Sequence, residues 1–319
     1  MPSSRLKILL FTGTMSEAGW QAELARAFRQ SSLDVDLQPW RERAIGARYA
    51  IVWLPPASLF TAEPDLRAAF NLGAGVDALL ARGVVPDHVP IVRLVDAGMG
   101  AKIAEYVCFA IARITRGLHR FAPPPAGLRD WNAPRPRGEV PTVGVLGLGA
   151  MGRSCARAVA QFGYPTIGWS RRPHAVDGIE TMSGGDQLDA FLARTHILVN
   201  ALPLTPQTEN LLDRRAFAQM PAGSHLINVG RGATIVDADL IAALDAGHLA
   251  SATLDVFRVE PLPPEHPFWA HEKITVTPHL AAPTPYGPAA EQIVAALTQL
   301  EHGVAARDLP GYVDRAAGY

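Results

Sequence analysis

Three side chains with complementary chemistry follow three predicted strands in the second half of the chain. Arg231 comes after HLINVG, Glu260 after ASATLDVF and His279 after ITVTP. An arginine fork binds a carboxylate and polarises a neighbouring ketone. An imidazole can give up a proton near neutral pH, and a carboxylate can orient and stabilise the protonated ring. Taken singly, these could be a solvated arginine, a turn glutamate and a structural histidine. Together they suit the reduction of a 2-keto acid.

A glycine-rich turn precedes these residues. Gly147, Gly149 and Gly152 form a G-x-G-x-x-G that directly follows the strand of VGVLGLG and opens a helix. The first glycine permits the tight turn, the second lets a pyrophosphate approach the backbone, and the third lets helix and strand pack closely. The free N–H groups of the helix start suit phosphates. Dinucleotide binding is therefore predicted, and the alternative is a structural strand–helix turn.

The next strand, TIGWS, indicates which dinucleotide is bound. An acidic residue at its end would hold the ribose 2′-hydroxyl of NAD. Ser170, Arg171 and Arg172 stand there instead, and guanidinium groups pair well with a 2′-phosphate. NADP (NADPH) is therefore predicted, with NAD as the second candidate, unless the arginines are only solvated surface residues. The other predicted cofactor contacts are Ala150, Met151, Leu202, Pro203, Val229 and Asp255, the last as a partner of the nicotinamide amide.

The elements that position these residues alternate between strand and helix along the whole chain. Short apolar runs such as LKILLFTG and HILVNAL are separated by helical patterns, which indicates α/β architecture with parallel sheets covered on both faces. In such a doubly wound sheet, ligands bind beyond the carboxyl ends of the strands, so the glycine turn and the three polar residues should converge. Two later helices are predicted, one from about Asp237 to Gly247, with Asp237 as its N-cap, and a final one from about Tyr286 to Leu300.

Length and composition narrow the class of protein. The 319 residues suggest two domains. A net charge of −1 without a basic stripe argues against nucleic acid and anionic membranes as partners. Cys108 and Cys155 lack metal or redox spacing and are expected to be reduced thiols of a cytoplasmic protein. Neither a signal peptide nor a membrane-spanning run is predicted, and no metal site is predicted.

The motifs together resemble one known family. INVGRGATIVDADLIAALDAGHLASATLDVF, VEPLPPEHPFW and VTPHLAA are similar to the D-isomer-specific 2-hydroxyacid dehydrogenases. NLGAGVD, VWLPP and the ending VDRAAGY look most like the NADPH-dependent glyoxylate/hydroxypyruvate reductase branch. The resemblance implies a Rossmann cofactor domain, residues 102–284, inserted in a flavodoxin-like substrate domain, residues 1–101 and 285–319. It implies the roles given above for the catalytic set and substrate contacts at Gly73, Ala74 and Gly75. It also implies a homodimer, with the proline-rich segment near 121–140 at the contact.

One residue is expected to limit substrate size. Trp53 ends the predicted strand YAIVW and should lie near the Gly73–Gly75 loop, where its indole would favour glyoxylate and hydroxypyruvate over bulky keto acids. The alternative is an ordinary core tryptophan.

Three other classes of protein are alternatives to a keto acid reductase. A β-hydroxyacid dehydrogenase would begin with the glycine motif and use a lysine. A dinucleotide-sensing regulator would carry extra tails, and an inactive scaffold would not be expected to keep the catalytic set.

Overall fold

The computed structural model describes residues 5–118 and 140–319, which form two compact units. Unit 1 consists of Met1–Gly98 and Thr284–Tyr319, and unit 2 of Met99–Pro283. The domain boundaries predicted after residues 101 and 284 lie within a few residues of these bounds. The segment near 121–140 falls almost wholly outside the described residues. Within the described ranges, no helix combines the length and apolar character needed to cross a bilayer.

Unit 1 contains a parallel five-stranded sheet. Its strands are β1 (Leu6–Phe11), β2 (Val35–Pro39), β3 (Tyr49–Val52), β4 (Ala68–Asn71) and β5 (Ile91–Val92). Their order, β2-β1-β3-β4-β5, is the flavodoxin-like order of a doubly wound sheet. The helices are α1 (Glu17–Arg29), α2 (Ala57–Ala62), α3 (Asp77–Ala81) and α9 (Tyr286–Glu301). Helix α9 comes from the C-terminal part of the chain and packs on α1, where the rings of Trp20 and Tyr286 lie 4.8 Å apart.

Unit 2 contains a parallel seven-stranded sheet in the order β12-β11-β10-β9-β6-β7-β8. The strands are β6 (Val143–Leu146), β7 (Thr166–Ser170), β8 (Glu180–Ser183), β9 (Ile197–Asn200), β10 (Ser224–Asn228), β11 (Leu249–Leu254) and β12 (Ile274–Val276). The helices are α4 (Met99–Thr115), α5 (Ala150–Gln161), α6 (Leu188–Ala193), α7 (Arg214–Gln219) and α8 (Asp237–Asp245). The order reverses between β6 and β9, which is the Rossmann switch point where dinucleotides bind.

The sheet of unit 2 is buried on both faces, as the continuous apolar strands predict. Val143 and Val145 of β6 pack with Val107 of α4 and Val159 of α5, whereas Leu146 joins a second cluster on the other face. The fold class predicted from the sequence is confirmed: both units are α/β domains with parallel sheets.

The predicted cap of α8 is wrong by one residue. The N-cap is Val236, which has an extended backbone and no capping side-chain bond. Asp237 is already the first helical residue, and its Oδ2 lies 3.6 Å from Nε2 of His266. The short aspartate side chain is thus used in a tertiary contact with a histidine rather than in a local cap.

Candidate active site

The segments after β11 and β12 bring Glu260 and His279 together. Oε2 of Glu260 lies 2.7 Å from Nδ1 of His279, and Oε1 accepts the N–H of Phe257 at 2.9 Å. The His279 side chain is 51% exposed, and its Nε2 makes no hydrogen bond to any described residue. One ring nitrogen is therefore held by a carboxylate, and the other is free to exchange a proton with a ligand.

The environment of Glu260 favours its ionised form. Burial alone would raise the pKa of the carboxyl, but the hydrogen bonds from His279 and from the Phe257 N–H lower it. The positive charge of Arg231 lowers it further, and the net effect is a Glu260 pKa below its ordinary value. The carboxylate can therefore stabilise a protonated imidazole across the neutral pH range.

Arg231 follows β10, in a segment held by buried polar side chains. Its carbonyl accepts the hydroxyl of Thr234 at 2.6 Å and the amide of Asn228 at 3.2 Å. The Thr234 hydroxyl in turn accepts an N–H of Asn200 at 2.7 Å. All three of these side chains are fully buried, so the backbone that carries the guanidinium is well fixed.

The backbone of His279 is held in a left-handed conformation, φ 51°, by Asp255. The His279 N–H donates to the Asp255 carbonyl at 2.8 Å. The Asp255 carboxylate accepts the Thr277 hydroxyl at 2.7 Å and the N–H groups of Leu280 and Ala281 at 2.9 Å each. The aspartate is only 1% exposed, and three hydrogen bonds already engage its oxygens. Its predicted contact with a nicotinamide amide stays a prediction.

The glycine turn between β6 and α5 has the geometry of a phosphate cradle. Gly147 has φ 102°, and a Cβ on Gly152 would lie 1.7 Å from the Gly147 carbonyl oxygen, so both positions require glycine. Gly149 is the N-cap of α5 without a side-chain cap, and a Cβ there would meet nothing within 4 Å. The open space and the uncapped helix start fit a bound pyrophosphate.

The remaining predicted cofactor residues lie in the first turn of α5 or just after strands at the same edge of the sheet. Ala150 and Met151 are in that first turn, Leu202 and Pro203 follow β9, and Val229 follows β10.

The end of β7 is basic and exposed. Arg171 and Arg172 are both exposed, and the Ser170 hydroxyl donates to the Arg172 carbonyl at 2.7 Å. Arg153 of α5 reaches the same segment, because its Nη1 lies 2.5 Å from Nε2 of His174. The structure thus adds a third basic side chain, Arg153, and the histidine His174 to the region predicted to hold the 2′-phosphate.

Unit 1 places Trp53 against the Gly73 loop. Trp53 follows β3 and Gly73 follows the neighbouring β4, and a Cβ on Gly73 would lie 2.6 Å from the indole. The Asn71 amide donates to the carbonyls of Gly73 and Gly75 at 2.9 Å each, which fixes the loop that carries Ala74. Trp53 is half-buried rather than enclosed in the core.

Comparisons with known proteins show which family the chain belongs to. Residues 129–281 match the family model for the NAD binding domain of D-isomer specific 2-hydroxyacid dehydrogenases. The chain is 39% identical over 308 residues to glyoxylate/hydroxypyruvate reductase A of Yersinia enterocolitica serotype O:8 / biotype 1B (strain NCTC 13174 / 8081), and the match covers 95% of each protein. The chain belongs to the D-isomer-specific 2-hydroxyacid dehydrogenase family. The family resemblance predicted from the motifs is confirmed, and the comparisons give no support to a dinucleotide-sensing regulator.

Solved structures of the family share the fold over its full length. The dehydrogenase from Xanthobacter autotrophicus Py2, crystallised with NADPH and MES, has a TM-score of 0.89 and 38% identity, with 99% of this chain and 100% of that chain covered. The NADPH-dependent glyoxylate/hydroxypyruvate reductase from Sinorhizobium meliloti, crystallised with NADP and sulfate, has a TM-score of 0.85 and 33% identity at the same coverage.

Several polar residues of the candidate site were not predicted from the sequence. They are the buried Asn200, Asn228 and Thr234 beneath Arg231, and Thr277 with Tyr106, whose hydroxyl oxygens lie 2.6 Å apart. Asn200 and Asn228 end β9 and β10, so their position at the carboxyl edge of the sheet was the available signal. Tyr106 comes from α4, and nothing in the sequence pattern links that helix to Thr277.

Proposed function

We propose that this protein reduces small 2-keto acids, glyoxylate and hydroxypyruvate, to 2-hydroxy acids with NADPH. The observation that carries the proposal is the 2.7 Å contact between His279 Nδ1 and Glu260 Oε2 beside the charge of Arg231. These groups follow strands of one sheet, and the glycine turn follows another strand of the same sheet. A ketone reductase needs a proton donor and an anion-binding cation at such a place.

The three catalytic side chains then have distinct roles. Arg231 binds the substrate carboxylate and polarises the ketone oxygen through its planar fork. The nicotinamide, when bound, supplies a hydride to the carbonyl carbon. His279 gives its Nε2 proton to the oxygen, so that a hydroxyl forms and the ring becomes neutral. Glu260 holds the ring by Nδ1 and stabilises its protonated form before the transfer.

The choice of NADPH over NADH rests on the end of β7. The exposed Arg171 and Arg172 occupy the position where an acid would hold a ribose 2′-hydroxyl, and Arg153 lies at the same segment. The relatives from Xanthobacter and Sinorhizobium were crystallised with NADPH and NADP. We therefore propose that unit 2 binds NADPH, with NADH as the weaker alternative.

Unit 1 is proposed as the substrate domain. The N–H groups of Ala74 and Gly75, in the loop that Asn71 fixes, are suited to a carboxylate. The Trp53 indole packs against this loop and limits the size of the substrate side chain. Two- and three-carbon keto acids fit such a limit better than aromatic ones.

The protein is further proposed to be a cytoplasmic homodimer that associates through unit 2. Both cysteines, Cys108 and Cys155, are free thiols, as suits a reducing compartment. Unit 2 exposes large apolar side chains, among them Phe109 and Phe162, which a second copy could cover. Size-exclusion chromatography with light scattering tests this: a monomer at micromolar concentration would reject the dimer.

Oxidation of NADPH and of NADH, followed against glyoxylate, hydroxypyruvate, pyruvate and phenylpyruvate, tests the activity. We expect the highest kcat/KM with NADPH as the cofactor and with glyoxylate or hydroxypyruvate as the substrate. His279→Gln is the matched control, since it should lose about 10²–10⁴-fold in kcat while NADPH affinity is nearly unchanged. If the wild type reduces none of the four acids, the proposal is wrong.

A further inference from the structure

Arg258 lies two residues before Glu260 and joins three segments of unit 2. Its Nη2 donates to Oδ1 of Asn210 at 2.5 Å and to the carbonyl of Ile235 at 2.7 Å, and its Nη1 lies 3.6 Å from the Glu209 carboxylate. We call residues 205–212 the β9 segment, 229–236 the Arg231 segment and 255–261 the Glu260 segment. Arg258 thus belongs to the third and binds the other two.

The Arg231 segment and the Glu260 segment also touch directly through their backbones. Gly232 follows Arg231, and a Cβ on Gly232 would lie 1.9 Å from the carbonyl carbon of Phe257 and 2.4 Å from the Arg258 nitrogen. Position 232 therefore has no room for any side chain. The Phe257 N–H in turn donates to Oε1 of Glu260, so a shift of this backbone would move the carboxylate.

The β9 segment pairs with the Arg231 segment through backbone hydrogen bonds. The Asn210 N–H donates to the Ala233 carbonyl at 2.9 Å, and the Leu212 N–H to that of Thr234 at 2.9 Å. The Arg258 side chain lies across this pairing and is 36% exposed, so it is not part of the apolar core. A planar guanidinium presents five N–H donors in a fixed fork and can bridge acceptors on separate segments, whereas the three donors of an ammonium all lie on one nitrogen.

We propose that Arg258 is a positioning residue, which holds the Glu260 carboxylate at the distance and angle that His279 requires by tying the Glu260 segment to the Arg231 segment. This inference rests on the proposed function, because it gives Arg258 an effect on proton donation. Among the described residues, the Arg258 guanidinium bonds to Asn210 and to backbone carbonyls and pairs with Glu209, so it acts on Glu260 only through the backbone.

The test compares Arg258→Met with the wild type and with Arg194→Met. Methionine keeps an apolar stem but has no donor. Arg194 is a matched control, because it is also a partly exposed arginine of unit 2, paired with Glu180 at 2.6 Å. We expect Arg258→Met to lower kcat by about tenfold to a hundredfold, as small misplacements of catalytic groups do. Its NADPH affinity should be unchanged, and activity should fall away at a lower pH. Arg194→Met should behave as the wild type.

Two further variants separate positioning from general stability. In a Glu260→Gln background, Arg258→Met should have little additional effect on kcat, because the two changes act through one carboxylate. Asn210→Gly removes an acceptor of Arg258 while suiting the left-handed backbone of that residue, φ 55°, and should give a smaller loss of the same kind. Full additivity in the double variant overturns the inference, as does an unchanged kcat and pH profile in Arg258→Met.

A readout without turnover keeps this inference distinct from the proposed function. The ring resonances of His279 can be titrated by NMR in the wild type, in Glu260→Gln and in Arg258→Met. The midpoint in Arg258→Met should move in the same direction as in Glu260→Gln. An unmoved midpoint in a folded protein overturns the role of Arg258, whereas a wild type without reductase activity overturns the proposed function only. If Arg258→Met does not fold, Asn210→Gly decides by the same two measurements.

Discussion

Nδ1 of His279 lies 2.7 Å from Oε2 of Glu260, although the two residues are carried by segments that follow different strands. Among the residues that the structure describes, the imidazole is hydrogen-bonded through Nδ1 alone, and the left-handed backbone of His279 is fixed separately by Asp255. Glu260 can therefore stabilise the charge of the ring, while Asp255 fixes the backbone that carries it. Mutations at Glu260 and at Asp255 can test these two effects separately.

Glu260→Gln should move the alkaline limit of the reductase activity to a lower pH. Glutamine keeps the shape but removes the negative charge beside the protonated ring, so activity should fall away at a lower pH than in the wild type. At pH 7 we expect kcat to fall by about tenfold or more. The measurement is kcat and kcat/KM against pH with NADPH at saturation. A profile that superimposes on that of the wild type would show that the pair has no part in proton donation.

The same variant should lose stability in a defined pH range. The pKa of Glu260 is lowered in the folded protein, so its ionised form contributes stability above the unfolded pKa of about 4.3. That contribution is lost as the pH falls through the lower, folded value. Glu260→Gln should thus melt below the wild type at pH 6–7, and the difference should shrink as the pH falls below about 4. Calorimetry of both proteins checks this, and a constant Tm difference at all pH values would contradict it.

Cofactor choice should depend on the basic residues around the end of β7. A combined Arg171→Ala and Arg172→Ala change should lower kcat/KM for NADPH and leave that for NADH nearly unchanged, since a 2′-phosphate loses its charged donors. Arg153→Ala should act in the same direction. The exposed Arg157 lies on the same helix and provides the control. Equal use of both cofactors by the wild type would refute the assignment.

Substrate size should be set by the contact between Trp53 and Gly73. Trp53→Ala should raise kcat/KM for phenylpyruvate relative to glyoxylate. Gly73→Ala should impair the enzyme, because its Cβ would lie 2.6 Å from the indole, and the loss should be relieved in the Trp53→Ala background. A phenylpyruvate to glyoxylate ratio that stays flat in Trp53→Ala, or no relief in the double variant, would mean that the indole only packs.

Asp255→Asn should destabilise unit 2 and slow reduction. The Asp255 carboxylate accepts hydrogen bonds from the N–H groups of Leu280 and Ala281 and from the Thr277 hydroxyl. In the variant, the NH2 group of the asparagine would face one of these donors, which would then lack an acceptor. An unsatisfied buried donor costs about 1–3 kcal/mol, measurable by urea unfolding. Asp245→Asn, at a 68% exposed side chain, is the control. Full stability with a loss of NADPH affinity would favour the predicted nicotinamide contact instead.

Much of the fold followed from local sequence. The strand TIGWS is β7 with the same bounds, and the helix predicted from about Tyr286 to Leu300 is α9, Tyr286–Glu301. These elements have strong apolar patterns and clear ends. Short strands with weak patterns were missed, such as β4 at AAFN and β8 at ETMS. Their conformations are set by neighbouring strands and by packing rather than by their own residues.

The order of residues along the chain is enough to predict which of them stand at the carboxyl edge of the second sheet. Parallel strands all end at one edge, so Gly147, Arg231, Glu260 and His279 could be grouped from their positions after strands. Their distances from one another depend instead on contacts between segments. The register of β11 and β12, the backbone contact at Gly232 and the bonds of Asp255 set the distance between His279 and Glu260. These contacts join residues far apart in the chain, and hydrophobic periodicity carries no information about the direction in which their side chains point.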